Sequence, residues 1–555
     1  MAGLADLAFV NGAVYTVDAG RTRARAVAVK DGRVAAVGLD ADVRELIGPA
    51  TQVLDLEGRM LLPGFQDAHV HPVSGGLDML RCDLYAFATA EDYLRAIGDY
   101  SDAHRDRTWI LGGGWALDAF PGGTPTREAL DAVLPDRPAF LPNRDGHSAW
   151  VNSAALRIAG VTRDTPDPAD GRIERDADGE PIGSLHEGAM ELVGRCTPAP
   201  SADEMFEGLR RGQAHLHSLG ITAWQDAIVD PGSLENNFEA YLRAAAEGVL
   251  TARVVGALWW DRHRGLEQIA DLVERRASGR VGRFAPTSIK IMQDGVCENF
   301  TAAVLDPYLD PGGGITANRG ISFVEPGLLG EAVTRLDEQS FQVHFHALGD
   351  RAVREALDAI EAARRANGAK DLRHHLAHIQ VVHPDDVPRF REVGAVANAQ
   401  PLWAAHEEQM DDLTIPFLGE PRWRWQYPFA SLVRAGATLA MGSDWSVSSA
   451  DPLEEIHVAV NRVLPPGSIP DAERPEVFLP EERLDLATSI AAFTIGSAYV
   501  NHLDDVTGSI EPGKLADLVV VDRDLFAAPP DEIALATVEL TMVEGERVFA
   551  GAAFS

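Results

Sequence analysis

Pro63-Gly64-Phe65-Gln66-Asp67-Ala68-His69-Val70-His71 joins an apolar run to a pair of histidines. The run Met60–Phe65 reads as a β-strand, and the chain beyond it reads as extended. In an extended chain residues i and i+2 point the same way, so His69 and His71 can reach one metal ion. His215-Leu216-His217 has the same spacing but lies in the helical pattern Phe206–Leu219. There i and i+2 diverge by about 200°, and that second pair is expected to be structural or on the surface. An HxH alone is moderate evidence, and its meaning depends on the fold around it.

Seven further apolar runs follow: Ile221–Gln225, Ala252–Trp260, Ser288–Met292, Phe341–Phe345, Leu372–Ile379, Val393–Ala399 and Thr438–Gly442. Between most of them lie amphipathic helical stretches such as Gly327–Gln339 and Ala352–Asn367. Eight strands alternating with helices predict an α/β fold, a (β/α)₈ TIM barrel. The gap between the first and second strand is too long for a connection. Its irregular part, about 74–205, is rich in Gly, Pro and Asp and is expected to be an inserted subdomain over the barrel mouth.

The two ends share another texture. Leu7 to Leu56 alternates short apolar runs with turns, and Asn11-Gly12 and Asp31-Gly32 are hairpin signals. At the other end Gly508-Ser509-Ile510 leads to Ala516–Asp522, and Val538–Gly545 with Arg547–Phe549 reads as another hairpin. Neither end is long enough to bury a core alone. They are expected to pack together as a small β-sandwich, 1–59 with 491–555, into which the barrel of 60–490 is inserted.

The length of 555 residues calls for more than one domain. Acidic residues number 84 against 49 basic ones, a net charge of −35. Such a surface repels phosphate backbones and anionic lipid, so no nucleic acid and no membrane partner is expected. No stretch approaches the roughly 18 apolar residues of a membrane span. Residues 1–17 lack the basic region and apolar run of a signal peptide and read as a strand. Cys82, Cys196 and Cys297 are scattered and form no CxxC pair, which points to a reducing compartment and a cytoplasmic protein. A homodimer is compatible with such a barrel, but no residue requires it.

In such barrels chemistry sits at the C-terminal ends of the strands. Metal-type residues fall there in Phe341–His346, Arg373–His378 and Leu439–Asp444. The last residue of each cluster lies nearest the mouth. His346 is therefore preferred to His344, and His378 to His374 and His375, which are expected to support or pack. With His69, His71 and Asp444 these make a set suited to zinc-class ions. Asp444 has a second possible use: a carboxylate beside a bound water can accept its proton and deliver it to a leaving nitrogen. An N-cap role is disfavoured, because Trp445-Ser446-Val447-Ser448 does not look helical.

These stretches resemble the amidohydrolase superfamily, in particular its family 3 branch, which includes N-substituted formamide deformylase. The matching words are Pro63–His71, Lys290 with Asp294-Gly295, His346–Asp350, His378, Gly442–Asp444 and Gly508–Asp522, with 145–153 and Leu185–Ala189 in the insertion. The likeness runs almost end to end in the same order. It implies one or two divalent ions, usually Zn²⁺, held by His69, His71, Lys290, His346, His378 and Asp444. Lys290 would bridge two ions as an N6-carboxylysine; the alternative is an unmodified lysine paired with an acid such as Asp294 beside a single ion. Asp444 would act as general base, and the metal or a histidine such as His378 would polarise the carbonyl. Trp115, His147, Glu187 and Asp294 are the candidates for substrate contact, although His147 and Glu187 could bond within the insertion and Trp115 could be core. Cys297 has no base beside it and is given no nucleophilic role.

The function expected is hydrolysis of a C–N bond, amide or formamide, in a small molecule. The alternatives are deamination, ester or carbamate hydrolysis at the same site, or a non-catalytic regulator. Against the last, none of the six ligands is missing. Manganese, iron and cobalt suit the same donors.

Overall fold

Eight parallel strands form one sheet in chain order: Phe65–Val70 (β1), Ile221–Val229 (β2), Arg253–Trp259 (β3), Phe284–Met292 (β4), Gln342–Ala347 (β5), His375–His378 (β6), Val396–Ala399 (β7) and Thr438–Met441 (β8). The structure, a computed structural model, describes residues 3–230, 236–468 and 476–555. Residues 1 and 2 of the N-terminal stretch 1–17 lie outside that description. The sheet curls until its ends meet. Asp444 N–H donates to the His69 carbonyl at 2.7 Å, and His71 N–H donates to the Trp445 carbonyl at 2.8 Å. Gly442 sits in this seam because a Cβ there would lie 2.5 Å from the His69 nitrogen. The result is a nearly closed, TIM-barrel-like α/β fold.

Helices cover the outside. Pro326–Glu338 buries Leu329, Ala332, Val333 and Leu336, and Asp350–Asn367 buries Val353, Ala356, Leu357, Ile360 and Ala363. That spacing is one apolar stripe per helix, as the sequence predicts. Among the described residues no helix is long and apolar enough to cross a membrane.

The expected first barrel strand needs correction. Met60–Pro63 pairs antiparallel with Leu518–Val521 and parallel with Ala13–Tyr15, in a different sheet. The change of partner takes one residue: Gly64 N–H donates to the Asp517 carbonyl and Phe65 N–H to the Gly220 carbonyl. An unbroken apolar run carries no mark of such a switch, so both strands read as one.

The sheet containing Met60–Pro63 has six strands, completed by Arg23–Ala24, Val538–Val543 and Glu546–Ala550. A four-stranded sheet of Arg33–Gly38, Ala26–Lys30, Leu7–Val10 and Gln52–Asp55 shares an apolar core with it, including Phe9, Val27, Leu61, Val520 and Leu540. Asp31-Gly32 does turn a hairpin between Ala26–Lys30 and Arg33–Gly38. Asn11-Gly12 does not: Asn11 is left-handed, φ 56°, but the strands on either side belong to different sheets. The positive-φ turn is present, and it redirects the chain between layers.

Between β1 and β2 the stretch that reads as irregular carries a six-stranded mixed sheet of short strands, from Cys82–Asp83 to Pro181–Glu187. Its own core includes Tyr93, Ile110, Trp115, Leu130, Leu141 and Trp150.

Candidate metal centre

Six side chains named from the sequence come to one place. His69, His71, Lys290, His346, His378 and Asp444 all line a cavity of ≈ 470 Å³ at the C-terminal ends of the barrel strands. They come from β1 and the residue that follows it, from β4, β5 and β6, and from the turn after β8. Asp444 Oδ1 lies 3.0 Å from His71 Nε2 and 3.3 Å from His69 Nε2, and its Oδ2 is 3.8 Å from His378 Nδ1. The rings of His346 and His378 are 4.4 Å apart, centre to centre.

The chemistry of these atoms tests whether a cation fits. His346 Nε2, both ring nitrogens of His378 and Asp444 Oδ1 are buried and have no hydrogen-bond partner. Buried polar atoms are ordinarily satisfied, because each one left bare costs roughly 1–3 kcal/mol. A divalent ion would satisfy His346 Nε2, one nitrogen of His378 and Asp444 Oδ1, beside ligand atoms of His69, His71 and Asp444 that lie within 4.8 Å of one another, and imidazole with carboxylate is a suitable donor set.

The tautomer of His69 follows from a chain of hydrogen bonds beneath it. Gln342 Nε2 donates to the backbone carbonyls of Arg373 and Val500, which fixes its Oε1 as the acceptor facing Gln225 Nε2. Gln225 Oε1 must then accept from His344 Nδ1 (2.6 Å) and His375 Nε2 (2.9 Å). With its proton on Nδ1, neutral His344 can only accept at Nε2, from His69 Nδ1–H at 2.7 Å. His69 Nε2 therefore carries a lone pair toward Asp444. His344 and His375 support the site, as expected, and His374 accepts from Val343 N–H and faces Asp337.

Asp67 locks the seam. Its carboxylate accepts from His69 N–H, Ser443 N–H and Ser443 Oγ–H, tying β1 to the turn that carries Asp444. Burial lifts its carboxyl to about 7. Asp444 and His378 both have positive φ, 56° and 74°, and such backbone strain in non-glycine residues gathers at functional sites. Burial pushes the Lys290 amine down to about 7, so much of it is neutral and nucleophilic at physiological pH.

Of the four expected substrate contacts, one lines the cavity. His147 reaches it, with its ring 5.1 Å from that of His346. Its Nδ1–H donates to Glu187 Oε1 at 2.9 Å, and Thr301 Oγ and Asn299 Nδ2 donate to the same oxygen. Burial opposes charge on His147, but the Glu187 carboxylate outweighs it and lifts the imidazole to about 9. Glu187 thus holds His147 and faces away from the cavity. Trp115 is fully buried in the insertion core, its Nε1–H donating to the Leu141 carbonyl. Asp294 accepts from the N–H groups of Ala303, Leu348 and Gly349 and fastens loops. A glycine-rich or acidic motif cannot show in sequence which way its side chain faces. His217 is structural, bonded to the Ile221 carbonyl and Thr251, whereas His215 packs against Trp445 and lines a second cavity.

That second cavity, ≈ 600 Å³, opens from His346, His378 and Asp444 toward Arg144, Glu298, Gln380, Trp403 and Glu407. Sequence reasoning missed all five. Only Gln380, two residues after His378 on the same edge, carried a usable signal.

A family model described as "Amidohydrolase family" matches residues 52–549. "Protein LONG AFTER FAR-RED 3" of Arabidopsis thaliana is 32% identical over 556 residues, covering 98% of this chain and 92% of that protein. "N-substituted formamide deformylase" of Arthrobacter pascens is 28% identical over 558 residues, 98% of each. The crystal structure of an uncharacterized metal-dependent hydrolase from Pyrococcus furiosus superposes with a TM-score of 0.69 at 25% identity, covering 93% of this chain and 99% of that one.

Proposed function

This chain belongs to the amidohydrolase family, and on that premise we propose that it hydrolyses the C–N bond of an amide or formamide in a small molecule. The observation that carries the reading is the group of buried, unpartnered atoms on His346, His378 and Asp444 beside His69 and His71. Cavities of ≈ 470 and ≈ 600 Å³ are the size that encloses a small organic molecule. We read the two end sheets as one β-sandwich and the segment between β1 and β2 as a subdomain supplying His147 to the site.

His69, His71, His346, His378 and Asp444 would hold a divalent ion, zinc by donor preference, and Lys290 as a carbamate would hold a second. When bound, such an ion supplies Lewis acidity toward a carbonyl oxygen and acidifies a water molecule. Asp444 accepts the proton of the attacking water and returns it to the leaving nitrogen, which cannot depart as an anion. Its Oδ1, buried and without a hydrogen-bond partner, is placed to accept. His378 keeps a ring nitrogen for the substrate carbonyl. His147, charged and gripped at Nδ1 by Glu187, presents its other N–H to the oxygen on which charge develops. The products are a carboxylic acid, or formate, and an amine.

The test is elemental analysis of the purified protein together with turnover of a panel of formamides, amides and esters. One or two divalent ions per chain and C–N cleavage abolished in Asp444→Asn are expected. A metal-free protein, or full turnover by that variant, sinks the reading.

A further inference from the structure

The larger cavity carries an excess of acidic side chains. Asp118, Asp145, Glu298 and Glu407 are on its wall, against the Arg144 guanidinium and, at the metal end, the cationic His147. The carboxylates crowd one another. Burial, and then the neighbouring Asp118 and Glu298, lift Glu407 to about 7, and burial lifts Glu298 as well. A positive charge entering the chamber relieves that strain; an anion adds to it.

A second observation is independent of the charge. Gln380 is 1% exposed and lines the same chamber. Its Nε2 donates to Glu298 Oε1 at 3.3 Å and to Gln426 Oε1 at 3.1 Å, while Gln426 Nε2 donates to the Trp423 carbonyl. These bonds fix the direction of both amides. Gln380 Oε1 is left buried with no donor. An acceptor of this kind on a cavity wall calls for an N–H from the occupant.

We propose that this chamber receives the amine side of the substrate and selects amines bearing a second, protonated nitrogen, which donates to Gln380 Oε1 and sets its charge near Glu298 and Glu407. Trp403, stacked on His378 at 5.6 Å and 25°, offers an aromatic face for the alkyl or cationic part on the way in. The substrate class is then a mono-acylated or mono-formylated diamine, and the product a diamine. This rests on the amide-hydrolysis reading of the metal centre, and the test separates the two.

Calorimetric titration of the metal-loaded protein with putrescine, and with pentylamine as a monoamine of matched length, needs no turnover. Putrescine is expected to bind roughly ten- to hundredfold more tightly, the range of a charge-assisted hydrogen bond. Glu298→Gln combined with Glu407→Gln is expected to erase the difference. Gln380→Leu, which removes no charge, is expected to weaken putrescine binding and serves if the double variant does not fold. Equal binding of the two amines, or a preference untouched by all three substitutions, overturns the proposal. The kcat/KM ratio of N-formylputrescine to N-pentylformamide is expected to follow the same order. Hydrolysis of both at equal kcat/KM overturns the chamber and leaves the reaction standing. Hydrolysis of neither, with the binding preference intact, overturns the reaction and leaves the chamber.

Discussion

His69 Nδ1 and His344 Nε2 lie 2.7 Å apart, and only one of them can carry the proton between them. Gln225 decides which, by accepting from the far side of His344. Gln225→Leu is therefore expected to release both His344 and His375 and let His69 protonate on the wrong nitrogen. Metal affinity should fall roughly 10- to 100-fold, as for other residues that orient a ligand from behind. Competition with a chromophoric chelator measures it, and unchanged affinity in Gln225→Leu would contradict the tautomer.

Glu187→Gln removes the carboxylate that lifts His147 to about 9. His147 gains its proton more readily folded than unfolded. Its contribution to stability is thus complete below its unfolded value near 6.5 and disappears as pH rises through about 9. The variant should lose roughly 3 kcal/mol or more near neutrality, as expected for a broken buried pair. The gap from the parent should narrow above pH 9. Denaturant unfolding across that range checks the sign, and a gap that widens with pH would contradict it.

Lys290 is buried, and its amine titrates near 7. Exposure to ¹³C-labelled bicarbonate is expected to give a carbamate carbon signal that Lys290→Arg lacks. The same variant should bind fewer metal ions per chain by elemental analysis. Retention of two ions in Lys290→Arg would show that the lysine does not bridge.

Trp115→Ala should destabilise the protein by about 3–5 kcal/mol, the usual cost of emptying an aromatic site in a packed core. It should leave KM unchanged in whatever fraction folds. A raised KM at unchanged stability would return Trp115 to the substrate wall.

Much of the barrel and five of the six clustered residues were legible because they rest on local rules; Lys290 was implied only by the family resemblance. Strand runs, helix stripes and the same-side geometry of i and i+2 need only neighbours in sequence. The extended stretch ending on His69 and His71 could be placed at a strand mouth for that reason. What could not be read depended on distant partners. Gly64 looks like any residue in an apolar run until Asp517 and Gly220 are both present. Trp115 and Asp294 sit in motifs beside the site, yet their side chains turn toward the Leu141 carbonyl and the loop N–H groups of Ala303 and Gly349. Glu298 and Glu407 lie on long connections with no periodicity, and only folding brings them to one wall.

The pairing of Met60–Pro63 with Leu518–Val521 also governs how the molecule is born. A strand laid down early must wait for a partner made roughly 450 residues later, a delay on the order of tens of seconds at ordinary ribosomal rates. Throughout that interval its edge is open to the wrong neighbours. Chains stopped before residue 518 should accumulate as aggregates even though every barrel strand has already been synthesised. Maturation is thus gated by that late strand, and chaperone demand should scale with elongation time.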